Sequence, residues 1–445
     1  MLNILGPQPP LTAQVVQESD TTPQWALDAV ADVIVRWSSS TITQAEAIQR
    51  VTDIIVELAT GTQPKDCDSG ACNDGNLISG DGCSDVCMVE PGYACSGTPN
   101  ICRMKKISFG KKNYGVGVRP WSVAFGDLNG DGMADFAVPN NQTNTVSVLL
   151  TKGGWLSLTT TYYPTGESPG SVAIGDLNGD GHADLAVANL NSDSVSIFRN
   201  NGNGTFGSKI DYRMASSPFS VAIGDLNGDA YSDLAVANDS FVSIVLGSAS
   251  FTGIRTNYPT GESPSSVAIG DLNGDSKADL AIANANSDSL STLLNNGDGT
   301  FAAKVDYEAG EYPYIVSIGD LNGDGAQDLA VANLNSDSIS LFLNNGDGTF
   351  AVKSDHIMSF HPYSMTIGDL NGDSKAELAA ANVTGDLVSI FPNNGNGVFG
   401  ENIDFTTGSK PNFVAIGDIN NDSKADLAVT NSDSRTISVF WNNTQ

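Results

Sequence analysis

Seven short segments of the chain repeat the pattern Asp-x-Asn-x-Asp-x-x-x-Asp, a spacing of oxygen donors that can close around a hard cation. They are Asp127, Asn129, Asp131 and Asp135; Asp176, Asn178, Asp180 and Asp184; Asp225, Asn227, Asp229 and Asp233; and Asp271, Asn273, Asp275 and Asp279. The last three are Asp320, Asn322, Asp324 and Asp328; Asp369, Asn371, Asp373 and Glu377; and Asp418, Asn420, Asp422 and Asp426. Calcium takes several oxygen ligands at about 2.3–2.6 Å, so side chains at positions 1, 3 and 5 of a tight loop can converge on one ion. A backbone carbonyl at position 7 and the carboxylate at position 9 can complete the cage. Magnesium suits such a loop less well, because it demands tight octahedral geometry and sheds water reluctantly. Calcium is therefore the cofactor these residues predict.

The alternative is an acidic Asn/Gly hairpin turn that holds no ion. Seven copies on one period argue against it, since three carboxylates in a small loop repel one another without a cation. The spacing is similar to the front of an EF-hand loop, but strand-like sequence flanks it and no Glu occupies position 12. The first, second and fifth loops keep Gly at position 6, as Gly132, Gly181 and Gly325, and are expected to hold an ion best. The sixth, with the longer Glu377, and the seventh, with Asn421 in place of Gly, are the weakest candidates.

The elements that must position these loops follow from their period. The first Asp recurs at steps of 49, 49, 46, 49, 49 and 49 residues. A second marker keeps the same beat at Pro120, Pro169, Pro218, Pro264, Pro313, Pro362 and Pro411. A period in the high forties suits four short strands, as in a propeller blade. In the second repeat SVAIGD (171–176), DLAVAN (184–189) and VSIF (195–198) read as strands, and 206–212 as the fourth. NSDS (191–194) and NNGNGTF (200–206) supply turn chemistry between them. No 3.6-residue apolar stripe occurs from 105 to 445, so the region is all-β.

The last repeat stops after its third strand, TISVFW (436–441). ISFGKKNYGVGVRPWSV (107–123) matches TFGSKIDYRMASSPFSV (205–221) and so reads as a fourth strand without a blade of its own. The expected fold is a seven-bladed β-propeller in which residues 104–118 supply the outer strand of the blade built from 411–445. An open solenoid of seven units is the competing architecture.

GDLNGDGHADLAVAN (175–189) and its six relatives resemble FG-GAP repeats of the VCBS type, similar to the propeller of integrin α-chains. The resemblance covers residues 104–445. It implies a seven-bladed propeller with calcium in the loops between first and second strands, on one face, and ligands on the opposite face. The family includes a fungal lectin type, and its repeats also occur beside enzyme domains.

Residues 66–103 hold all six cysteines: Cys67, Cys72, Cys83, Cys87, Cys95 and Cys102. Their even number and dense spacing predict three disulfides among 15 possible pairings, and hence an oxidising compartment. Zinc is the competitor, but there is no CxxC pair and no His in the region. CNDGNLISGDGCSDVCMVEPGYAC (72–95) resembles the small Myxococcus-type cysteine-rich repeats of secreted and surface proteins.

Residues 22–62 read as a helical hairpin. Thr22-Pro23 opens a stripe through Ala29, Val30, Val33, Ile34 and Trp37. A capping box at Thr43 and Glu46 opens a second through Ile48, Val51, Ile54, Ile55 and Leu58. Residues 1–21 read as disordered. MLNILGPQPP lacks a cationic start and is a poor secretory signal. Sequons at Asn141, Asn203, Asn238, Asn382, Asn421 and Asn442 fit an extracellular or cell-surface location, although chance explains several in so Asn-rich a chain.

The 445 residues carry 51 acids against 21 bases, a net charge of −30. Nucleic acid and anionic membrane surfaces repel such a polyanion, which excludes them as main partners. No run of 18 uncharged apolar residues predicts a membrane span. Residues 104–445 hold 38 acids and 17 bases, and the loop positions account for 21 of the acids. The scaffold outside the loops is thus balanced at 17 against 17.

Little in the sequence points to catalysis. His182, His356 and His361 have no evident nucleophile partner, and acidic pairs that could serve a glycosidase fall mostly within the metal loops. A binding surface is easier to locate. The residue after each periodic Pro should ring the face opposite the loops. Four of these are aromatic, Trp121, Phe219, Tyr314 and Tyr363, and could stack on a sugar or anchor a peptide. Blade-to-blade packing is the plainer use for them. The sequence therefore predicts a secreted or surface calcium-binding propeller, not an enzyme, that recognises or adheres to a protein or glycan ligand. A lectin, a polysaccharide-active enzyme and a structural spacer are the alternatives.

Overall fold

A computed structural model describes residues 93–96, 101–104, 107–152, 157–248, 255–395 and 397–444. The chain divides into two compact units, Met1–Lys105 and Lys106–Gln445. In the first, two short strands, Tyr93–Ser96 and Ile101–Met104, form an antiparallel hairpin whose register sets Cys95 opposite Cys102. The expected disordered start, the helical hairpin over 22–62 and the other four cysteines lie outside the described residues.

The second unit is a seven-bladed propeller, each blade a four-stranded antiparallel sheet. In the second blade the strands are Pro169–Gly175, Asp184–Asn189, Ser194–Phe198 and Ile210–Arg213. The outer strand begins later than the expected 206–212. The cause is the NNGNG turn, which closes its own tight hairpin: Asn201 donates to the Thr205 carbonyl at 2.9 Å and Gly207 to the Arg199 carbonyl at 3.0 Å.

Second strands such as DLAVAN, DLAIAN and ELAAAN are buried at every position, because both faces of a blade are covered by neighbours. Outer strands alternate between exposed and half-buried residues. Across five of the blades a polar ladder fixes the register. Asn189 donates to Ser196 at 2.9 Å, and Ser196 in turn donates to Asp211 at 2.7 Å.

Seven apolar clusters each join two adjacent blades, and one of them joins the last blade to the first, so the ring is closed. That closing cluster packs Val123, Phe136 and Val138 against Ile419, Ala428 and Ile437. The blades meet closely where each first strand ends in Gly. A Cβ on Gly175 would stand 2.6 Å from Ile223 Cγ2, and one on Gly368 2.7 Å from Ile416 Cγ2. At the seam Phe125 replaces the Ile and lies over Gly417.

The clasp forms as the repeat alignment predicts. Phe109–Gly115 pairs with Thr436–Asn442 and completes the seventh blade. Asn113 accepts from Ser438 at 2.9 Å and so extends the polar ladder. Gly110 lies under Trp441, where a Cβ would be 2.0 Å from the indole.

Gly175→Ala is expected to destabilise the propeller by about 1–3 kcal/mol through overpacking on Ile223. Urea denaturation checks this, and Ile223→Ala, which removes the Cγ2 in question, should cost less in the Gly175→Ala chain than beside Gly175.

Candidate functional site

Five of the seven first strands start at the periodic Pro, the other two a few residues beyond it, and all end beside the first Asp of a loop, so the loops and the post-Pro residues stand at opposite ends of the ring. The two ends are built differently.

At the loop end every side chain of the motif first folds its own backbone. Asp176 accepts from Gly179 at 2.7 Å and from Gly181 at 2.8 Å. Asn178 accepts from the Asp180 amide at 2.9 Å, and Asp180 accepts from His182 at 2.9 Å. Position 6 takes a left-handed conformation in all seven loops, with Gly181 at φ 83°, Ala230 at 70° and Ser276 at 64°. Left-handed backbone costs non-glycine residues about 1–2 kcal/mol, so the loops with Gly there are the relaxed ones.

The ninth residue is fully buried in every loop. Asp184 Oδ2 accepts from Leu177 at 3.2 Å, and Oδ1 accepts from Asn200 at 2.8 Å, at the end of the third strand. The carboxylate thus ties its loop to the next hairpin, a role the spacing alone does not reveal. Burial, with Asp180 and Asp176 adding repulsion, pushes Asp184 up to about 6. Asp135, Asp233 and Asp426 are also pushed up to about 6, and Glu377 to about 8, burial again leading.

A second missed residue is the Asn at the start of the NNG turn. Asn200 Nδ2 donates to the Leu128 carbonyl of the preceding blade at 2.7 Å and to Ala183 of its own at 2.8 Å. Asn295, Asn344, Asn393 and Asn442 repeat this link. Blades one and three have Thr151 and Gly247 at that place; each still donates its amide to the ninth carboxylate. Turn composition marks these segments in the sequence, but not the grip they have on the neighbouring loop.

Among the described residues no three carboxylate, imidazole or thiol side chains stand together as a ready metal cluster. The loop oxygens are turned to amides instead. The donor set is nevertheless all hard oxygen, and a carboxylate oxygen that accepts one N–H retains a lone pair for a cation. Uncompensated charge on Asp176, Asp180 and Asp184 gives such a cation a reason to bind. The residues fit calcium, and positions 1, 3, 5 and 9 would hold it.

The loops are not equivalent. In the fourth, Lys277 Nζ lies 3.1 Å from Asp275 and supplies an internal counter-charge. In the sixth, Asn371 and Asp373 are buried along with Glu377, and Asn371 donates to Glu377 at 2.9 Å. The longer side chain there reaches the amide across the space a shorter Asp would leave.

At the opposite end lies a cavity of about 280 Å³. Trp121, Phe219 and Tyr314 line it, with Gly170, Ser265 and Asn412 from the same post-Pro position. In five blades this position is the extra residue of a β-bulge, a device that re-aims a side chain out of the ladder. Tyr363 does not line the cavity; its ring stands edge-on to Tyr314 at 5.8 Å. It matches the blade-packing use of the aromatics, while the other three match the mouth. Tyr314 is hydrogen-bonded to Trp121 across the ring, and burial pushes its phenol up to about 12.

The histidines stay apart. The His182 ring covers Gly202, His356 packs edge-on to Phe391 at 5.1 Å, and His361 pairs with Asp337.

A family model for the FG-GAP-like repeat matches residues 127–187, 176–236, 225–282, 271–331, 320–380 and 369–429, more than half of the chain. The chain belongs to the FG-GAP-like repeat family. No curated protein sequence matches it. Among solved structures, this FG-GAP-like ring is similar to BBS1N in its complex with ARL6DN, at TM-score 0.56 and 15% identity over 79% of this chain and 97% of that one. Kuenenia stuttgartiensis hydrazine synthase matches at TM-score 0.54 and 14% identity, over 74% and 96%. At these identities the likeness is one of fold. An Agrocybe aegerita lectin that recognises non-reducing terminal N-acetylglucosamine gives 0.46 at 18% identity, over 69% and 85%. Among the described residues of the FG-GAP-like chain, no helix is long and apolar enough to cross a membrane.

Asn344→Ala removes bonds to the Leu272 and Gln327 carbonyls, both at 2.7 Å. Chemical denaturation is expected to show a loss of about 1–3 kcal/mol, the cost of orphaning buried acceptors. Asn203→Ala on an exposed turn should stay within about 0.5 kcal/mol.

Proposed function

We propose that this protein is a calcium-loaded, non-enzymatic recognition propeller, secreted or displayed at a cell surface, that captures a protein or glycan ligand at its mouth. The mouth cavity carries this reading. Trp121, Phe219 and Tyr314 converge on it from three blades, at the end of the ring away from the loops. Small pockets lined by aromatic rings and a few polar groups are the usual form of a ligand site.

Calcium acts as a structural cofactor in this reading. It offsets two of the three negative charges of a loop, and the buried ninth carboxylate passes that gain to the second strand and to the adjacent hairpin. Loops one, two and five keep Gly at position 6 and lack an internal Lys, so they bind most tightly. The fourth loop, with Lys277, and the sixth, with Glu377, bind least. The extracellular location rests on the six cysteines and their disulfide-permissive spacing.

Removing calcium with EDTA is expected to lower the melting temperature, and millimolar calcium to restore it, because an ion that binds only the folded state stabilises it by mass action. Native mass spectrometry should count one ion fewer in Asp127→Ala and in Asp176→Ala, and no change in Asp369→Ala. A melting curve indifferent to both EDTA and calcium would sink the metal reading. A glycan array and a surface-protein pull-down, each run with calcium and with EDTA, test recognition itself. Phe219→Ala should abolish capture without moving the melting temperature.

A further inference from the structure

We infer that the mouth cavity takes a sugar that carries a carboxylate, such as a uronic acid unit of an acidic glycan; this rests on the mouth being the recognition site. The first support is charge. Acids outnumber bases 51 to 21 in the chain, yet no residue lining the cavity has a carboxylate and one, Arg119, is a base. The acidic loops lie the length of a first strand away, about 20 Å at roughly 3.3 Å per residue, beyond a physiological Debye length of about 8 Å. An anion entering the cavity meets Arg119 as the one charged residue of its lining, while Glu167, beside Ser168 and Asn191, stands on the rim outside it. A guanidinium fork matches a carboxylate with two parallel N–H···O bonds.

The second support is an unpartnered group. Ser122 is 4% exposed and lines the cavity, and its Oγ has no hydrogen-bond partner. A buried hydroxyl left without a partner is costly, and a hydroxyl-bearing ligand settles it. The third is shape. The cavity is at the small end of ligand pockets, which suits one sugar ring better than a folded protein surface. Trp121 and Phe219 offer flat apolar faces for the C–H side of a pyranose, held by dispersion. A carboxylate, an apolar ring face and several hydroxyls occur together in an acidic sugar.

Isothermal titration of the full chain in calcium with methyl β-D-glucuronide, methyl β-D-glucoside and a peptide with a free C-terminal carboxylate tests this. The glucuronide is expected to bind at least tenfold more tightly than the glucoside. Arg119→Gln should remove that preference, Arg119→Lys should keep part of it, and Ser122→Ala should weaken both sugars about equally. Melting curves confirm that each variant folds. Equal binding of the two glycosides, or glucuronide binding unmoved by Arg119→Gln, overturns the assignment. Peptide binding that depends on Arg119, with no sugar bound, overturns it in favour of a protein ligand. In those cases a ligand lost on Phe219→Ala leaves the mouth as the recognition site. Capture of array or pull-down ligands that ignores Phe219→Ala removes that broader reading too.

Discussion

The propeller depends on a carboxylate buried at the head of every second strand. Taking an ionised acid out of water is costly unless it is paired or hydrogen-bonded. Here two backbone amides from opposite directions offset the cost. For Asp328 they are Leu321 in its own loop, at 2.9 Å, and Asn344 at the end of the third strand, at 2.7 Å. One side chain therefore fixes the exit of the loop, the start of the strand and the root of the next hairpin. The Asn that donates its amide also reaches with its side chain to the preceding blade, so loop, hairpin and neighbour become one unit.

That arrangement leaves a residue of strain. Two backbone bonds do not hold Asp184 or Asp426 in the ordinary carboxylate range, because burial strips them of water, and Asp180 and Asp176, or Asp422 and Asp418, add repulsion. The fold has two remedies in view. A divalent ion can neutralise the group from outside, using the oxygens the loop presents. Alternatively a residue of the loop can lessen the crowding of charge from within, as Lys277 does beside Asp275; the hydrogen bond from Asn371 alone does not, since burial still pushes Glu377 up to about 8. Seven copies of one motif have thus diverged in how they meet one electrostatic demand.

Most of the fold was legible because a closed ring of repeats leaves a periodic record. The 49-residue beat, the four strand-like runs and the orphan strand within 104–118 together imply seven blades and a clasp, and Ser438 to Asn113 confirms the register in detail. Less legible were contacts that join one period to the next. Gly175 reads only as part of the strand SVAIGD, and the packed ring shows that it makes room for Ile223. Asn200 reads as turn chemistry, although its amide serves Leu128, 72 residues earlier. The post-Pro aromatics were legible as a set, since their spacing follows the repeat. Their division was not, because Tyr363 differs from Tyr314 only in what stands in front of it.

The two ends of the ring also resolve what the net charge of −30 means. First strands of about seven residues separate the acidic loops from the mouth, and salt screens exposed charges well within that distance. A ligand at the mouth consequently responds to the groups beside it rather than to the chain's overall sign. Within the cavity those groups are Arg119, amides, hydroxyls and aromatic rings, with Glu167 on the rim. In five blades the bulge after the periodic Pro permits this, since it turns one side chain out of the ladder while the rest of the strand stays bound to the core; in the blades of Trp121 and Phe219 the first strand instead starts beyond that residue. Variation at that single position can then change the mouth without touching the buried carboxylates. The blades show such variation already, from Gly170 to Trp121, on an otherwise uniform scaffold.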